Sequence, residues 1–267
     1  MQSERRPGPG RVERTGLKRQ NSPPDLIRLS EFTDRVVWVV RFAFSGVVLC
    51  ALLVGGCGGD DAEVVATATS APTTTTVTGG ETPLAAVTDW LDALSIARYG
   101  AADVMVVEEQ FVLLLAVESF SPELYAELVS GGISPAVSRT FWESFASGVR
   151  GFTGAAITEV DVVGEQRFEA HGRDFAEVEA TSPRGDLTII AQMDQGGRWH
   201  VDLLATFGSS FAPLFNTWIE RLPGDVIDPL EALARQRSSL QVARDRAERR
   251  RADEAVADLE RLLEQLI

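Results

Sequence analysis

Few residues in this chain of 267 carry reactive side chains, and the nearest thing to an acid–base pair lies near its centre. His200 and Asp202 flank Val201 in an apolar, alternating stretch. On an extended strand, residues two apart share a face. A histidine and a carboxylate so placed come within reach of one proton, as a general base requires. Tyr99 and Tyr125 are the two tyrosines that could add a hydroxyl, and His171 is the one other histidine. A His–Asp pair on a sheet face commonly faces water, so no catalytic residue is assigned. Glu108, Glu109, Glu118, Glu177 and Glu179 read as solvated faces, because a calcium site gathers its carboxylates within one loop. The patterns HExxH, CxxC, GxSxG, GxGxxG and the phosphate-binding loop are missing from the sequence, so no cofactor or metal site is expected.

Cys57 carries a different chemistry. The thirteen residues Phe42 to Val54 hold no charge, follow Arg41, and break into Gly55-Gly56-Cys57-Gly58-Gly59. A positive flank, an apolar core of this length and small residues at its end form a secretory signal. A spanning helix needs ~20 apolar residues, and Arg41 cuts the run short of that. With the small residues directly before the cysteine, Val54-Gly55-Gly56-Cys57 resembles the lipobox of bacterial lipoproteins. That resemblance implies cleavage before Cys57, which becomes a diacylated N-terminus carrying palmitate-type chains. Cys50 follows Leu49, which does not suit small-residue cleavage, and leaves with the signal. The processed chain then has no free thiol pair, and its stability must come from packing.

Charge divides the chain at the same place. Nine of its 25 basic and five of its 39 acidic residues fall in 1–56, leaving 16 against 34, a balance of −18. Such a surface repels phosphate backbones and anionic headgroups, which argues against nucleic-acid binding. Attachment to a membrane must therefore come through lipid, and two acyl chains suffice. Residues 57–82, with Thr73–Thr76 in a row and no aromatic residue, cannot bury enough apolar surface to order themselves. They are expected to form a tether spanning roughly 25–30 Å.

The positioning elements follow. Thr82-Pro83, Ser121-Pro122 and Ser134-Pro135 each pair a capping hydroxyl with a proline suited to a first helical turn. They predict helices from 83, 122 and 135, the last to about Val149. Leu84, Val87, Leu91 and Leu94 form the stripe of the first. A further helix is expected over 101–117. Beyond Gly151 the period becomes alternating and predicts five short strands, 157–163, 167–170, 175–181, 187–192 and 199–204, in an antiparallel meander. A helix over 207–222 carries Phe211, Leu214, Phe215 and Trp218 as core. From Asp228 to Ile267 the sequence is rich in Arg, Glu, Ala and Leu. Ala252, Ala255, Leu259, Leu262 and Leu266 step as in a coiled coil, while Arg237, Arg244 and Arg251 interrupt that seam upstream. A long charged helix, one that either dimerises or folds back, is expected there.

Helices followed by strands make an α+β order. The leading helix LAAVTDWLDALSIARYGAADVMV, the meander and the closing strand GGRWHVDLL resemble the NTF2-like, cystatin-like superfamily and its actinobacterial lipoprotein members. The resemblance implies a cone of helices on a twisted sheet over 83–222, expected to fold alone, with 1–56 as leader and signal and 223–267 as an appended helix. The expected function is a non-enzymatic module of the cell envelope, held by lipid on Cys57 at the outer face of the membrane and binding a partner protein or small apolar ligand. The alternative is a pocket enzyme of the NTF2-like isomerase or dehydratase type, using His200 and Asp202. A cone filled by its own aromatic side chains favours the first, and an open pocket with converging polar groups the second.

Overall fold

The computed structural model describes residues 78–224 and 226–266, and for 151–153 the backbone alone. Cys57, the leader and most of the tether lie outside the described residues. The fold is α+β, with nine α-helices and one four-stranded antiparallel sheet among the described residues. No described helix is long and apolar enough to cross a membrane.

Caps fix the helical first half. Thr82 Oγ1 accepts the Ala85 N–H at 3.1 Å and opens α1 (Pro83–Ser95). Val87, Trp90, Leu91 and Leu94 are buried on its inner face, while Leu84 stays exposed. The helix expected over 101–117 is instead two, α2 (Tyr99–Asp103) and α3 (Glu108–Glu118). Between them the β-branched Val106 and Val107 favour extended backbone. Val201 N–H donates to Met105 O at 2.8 Å, and Val107 N–H donates to Val201 O at 3.1 Å. α3 then buries every residue from Gln110 to Val117, because a helix apolar all round must be enclosed all round. Ser121 and Ser134 cap α4 (Pro122–Gly131) and α5 (Pro135–Thr153), accepting the N–H groups of Leu124 and Val137.

Four strands stand where the alternation predicts five. β1 (Asp161–Ala170) runs straight through Gly164, where its register with β2 (Arg173–Ser182) shifts by a bulge. A glycine inside a strand marks such a bulge, and here it does not make the expected turn. Ile157–Glu159, expected as strand, is a 3-10 turn. β3 (Gly185–Met193) and β4 (Trp199–Val201) complete the order β1-β2-β3-β4. The outer edge of β4 is covered by Gly80, which pairs antiparallel with Trp199, and by Val106, which pairs parallel with Val201. A Cβ on Gly80 would lie 2.4 Å from the Ala86 nitrogen, so only glycine lets the chain reach that edge.

The C-terminal third corrects the expectation of one long helix. α6 (Leu203–Ile219) is followed by α7 (Asp228–Arg235), α8 (Arg237–Arg249) and α9 (Asp253–Gln265), with the last break at Arg251, φ 56°. The stripe of Leu259 and Leu262 packs into this chain's own core, alongside α6 and α8. Gly208 allows the close approach, since a Cβ there would stand 2.9 Å from the Cβ of Ala243. The buried cluster passes through Leu233, Leu240 and Leu259 without a break at 222.

Alternating strand residues divide the core in two. Ala176, Val178, Ile189 and Ala191 face the main cluster with α1, α3 and α5. Phe175 and Ile190 point the other way, onto Ala205 and Val242 of α6 and α8. The sheet therefore has helices on both faces.

Candidate functional site

The structure separates the pair that the sequence places together. His200 lies on β4, but the strand ends at Val201, and Asp202 leaves the sheet to cap α6. Asp202 Oδ1 accepts the Ala205 N–H at 2.7 Å. The apolar Leu203 and Leu204 prolong the sequence alternation, yet they form the first turn of a helix. His200 Nε2 instead meets Asp194 Oδ2 at 3.1 Å, across the β3–β4 turn, and its ring packs under Gly79. Its Nδ1 is buried without a hydrogen-bond partner. His171, in the β1–β2 turn, pairs with Asp245 of α8 at 3.0 Å. Each histidine thus pins a turn.

Asp202 is wholly buried and forms the centre of a polar network that spans three parts of the chain. Ser239 Oγ of α8 donates to its Oδ2 at 2.6 Å. Gln110 of α3 donates from Nε2 to Ser239 Oγ and to Gln236 Oε1, both at 3.1 Å. The Oε1 of Gln110 accepts the Leu204 N–H at 3.0 Å. Gln236 and Arg235 then donate to Glu109, carrying the network to the surface. Burial raises the Asp202 carboxyl above the ordinary range, against the bonds from Ser239 and Ala205 that favour its charged form. The geometry is that of a helix cap and cross-tie, since the carboxylate is enclosed and its oxygens are occupied.

The other expected residues are dispersed. Glu109 is tied to Arg235, and Glu177 of β2 pairs with Arg249 at 2.7 Å. Glu118, at the end of α3, is desolvated and its carboxyl is pushed up to about 7, so it is not the solvated face expected of it. Burial also raises the Tyr125 hydroxyl, which lies near Glu109 and Arg235. Among the described residues no group of three His, Cys, Asp or Glu side chains could hold a metal ion.

The space between the helices and the main sheet face is filled by aromatic side chains. Trp142 stands edge-on to Trp90 at 6.0 Å and stacks on Phe111 at 5.1 Å. Phe141, Phe145 and Phe207 continue the cluster. A cavity of about 40 Å³ remains beside Trp90, lined by Phe145, Leu187, Ile189 and Phe207. That is room for a water molecule but far below the 300–1,000 Å³ or so of a small-molecule site. A more polar cavity of about 150 Å³ opens on the other sheet face, lined by Glu177, Thr188, Arg246, Arg249 and Arg250.

Sequence reasoning missed Gln110, Ser239 and Arg246. The signal for Gln110 was present, since a lone amide inside an apolar helical run must be buried with partners. Ser239 and Arg246 gave no such signal within the charged C-terminal composition. Comparison of the chain with protein-family models, with curated proteins and with solved structures returned no match.

Proposed function

We propose that the chain is an extracytoplasmic lipoprotein, anchored by acyl chains on Cys57, whose α+β domain is an NTF2-like cone serving as a non-enzymatic binding module of the cell envelope. The observation that carries the reading is Val54-Gly55-Gly56-Cys57 at the end of an uncharged apolar run. Helices before a four-stranded meander support the NTF2-like assignment over 83–222. The aromatic filling supports binding through the outer surface, because the cone interior offers only about 40 Å³ beside Trp90. The end of the tether is fastened to the domain: Arg198 Nη2 donates to Gly79 O at 2.6 Å, and Gly79 N–H donates to Val104 O at 2.9 Å. These contacts hold Gly79 and Gly80 at the β4 edge, which is the side the proposed anchor would face.

The test is metabolic labelling with a palmitate analogue in a bacterium that processes lipoproteins. The wild-type chain is expected to take up label and to partition with membranes. Cys57→Ala is expected to take up none. Equal labelling of both would overturn the reading.

A further inference from the structure

We infer that the polar cavity between the C-terminal end of α8 and the second sheet face is a binding site for a phosphate-type oxyanion. Three guanidinium groups, Arg246, Arg249 and Arg250, line it against one carboxylate, Glu177, with Thr188 as its other lining residue. Arg246 and Arg249 sit three apart in the last turns of α8 and Arg250 caps its end, so the three lie together at its C-terminus. The chain as a whole is acidic, with a formal charge of −14, so this concentration of positive charge is local.

Arg246 is the pre-set member. Its side chain is buried, and it donates to Ala205 O at 2.6 Å, Thr206 O at 3.2 Å and Thr188 O at 2.9 Å. These bonds use Nη1 and one N–H of Nη2, leaving the Nε–H and the second Nη2–H unused. Burial, with the charges of Arg250 and Arg249 beside it, pulls its pKa down to about 10. The site therefore holds a cation under repulsion, which an anion would relieve. Glu177 is already engaged by Arg249, whereas Arg250 is exposed and makes no ion pair among the described residues. The C-terminus of α8 carries the equivalent of about half a negative charge, which three guanidinium groups against one carboxylate outweigh.

The recognising chemistry is that of planar guanidinium forks on tetrahedral or carboxylate oxygens. A volume of about 150 Å³ admits a phosphate and a short ester arm. The surrounding negative field opposes approach, so binding should tighten slightly as salt screens that field before salt competes for the site.

The experiment is a titration of the full chain with inorganic phosphate and with glycerol 3-phosphate, followed through the Arg246 Nε–H and the backbone amide of Thr188 by nuclear magnetic resonance. Chloride at matched ionic strength is the control. Saturable shifts at these two groups are expected, with about a tenfold or greater loss of affinity in Arg250→Gln, as for removal of one charge-assisted bond. Binding of both probes assigns a free oxyanion. Binding of the ester alone assigns a lipid or sugar phosphate headgroup. Absence of shifts with either probe, shifts that chloride reproduces, or shifts unchanged in Arg250→Gln would overturn the site. Arg250 is exposed, so the variant is expected to retain the fold.

Discussion

The two faces of the sheet are held by different physics. On the main face α1, α3 and α5 meet the strands through Trp90, Phe111, Trp142 and Phe145, and stability there comes from apolar area and edge-to-face ring contacts. Each ring pair adds about 0.5–1.5 kcal/mol beyond burial. On the second face the apolar cluster of Phe175, Ile190, Ala205 and Val242 is small, and polar ties do much of the holding. Asp202, Gln110 and Ser239 lock α8 to α3 and α6, and Arg246 bonds three carbonyls beside them. A dry face tolerates little change of volume, while a polar face tolerates little loss of a partner. The proposed oxyanion site belongs to the second face, where Arg246, Arg249 and Arg250 line a cavity, whereas the main face is filled by its own rings.

Truncation on the filled face should have the largest effect. Trp142 is fully buried and touches four other rings. Trp142→Ala should cost about 3–5 kcal/mol, a large share of the stability of a domain this size. Chemical denaturation followed by circular dichroism would show it, and a loss below 1 kcal/mol would mean that the ring cluster is loosely packed.

Partner removal on the polar face should come next. Asp202→Ala loses a helix cap, worth about 0.5–2 kcal/mol, and strands the buried Ser239 and Gln110 groups at about 1–3 kcal/mol. The expected total is roughly 2–4 kcal/mol. Asp202→Asn retains the capping oxygen and should cost about half as much. If the two variants were equally destabilised, the cap rather than the network would be the wrong part of the argument.

Glu118 breaks the comparison, being a carboxyl without a hydrogen-bond or ion-pair partner among the described residues, set after the apolar run from Phe111 to Val117 of α3. Burial raises it from the ordinary 4.5 to about 7, so the folded state holds its proton more tightly than the unfolded state does. Its contribution is therefore favourable in acid and is lost as pH rises from about 4.5 to about 7. The lowered carboxyls of Asp194 and Asp245 act in the opposite sense, below about pH 4. Glu118→Gln should raise stability at pH 7.5 by at most about 3 kcal/mol and flatten the profile between pH 5 and 7. Urea midpoints at both pH values would check the sign. The smallest effect belongs to the rim: Arg235→Gln, on an exposed ion pair with Glu109, should change stability by less than about 1 kcal/mol.

What the sequence made legible was local. Thr82, Ser121 and Ser134 cap where a hydroxyl precedes a proline, because that signal lies within one turn. The α+β order and the meander followed from the change of period. Long-range partners decided the rest. Gly164 became a bulge because β2 pairs on both sides of it. Asp202 caps α6 through Ala205, three positions on, but its burial and its second oxygen depend on Ser239 of α8, some thirty-seven positions on. The C-terminal seam turned inward because Gly208 makes room for α8, and no pattern within 228–267 encodes that glycine. Nothing in the described residues bears on Cys57, whose assignment rests on its flanks.

The claim at the centre of this comparison is that α7, α8 and α9 complete the core around α3, α4 and α6, with Val242 of α8 on the second face of the sheet, and belong to one folding unit with residues 83–222. The direct measurement is amide exchange and thermal unfolding of a chain ending at Leu222, set beside the full chain. Without the C-terminal helices, Asp202 and Gln110 lose Ser239 and Gln236, and Phe175 and Ile190 lose Val242. The expected result is loss of cooperative unfolding, with the amides of β2 and β3 left unprotected. A truncated chain that unfolds cooperatively at the temperature of the full chain, with β3 still protected, would contradict the account.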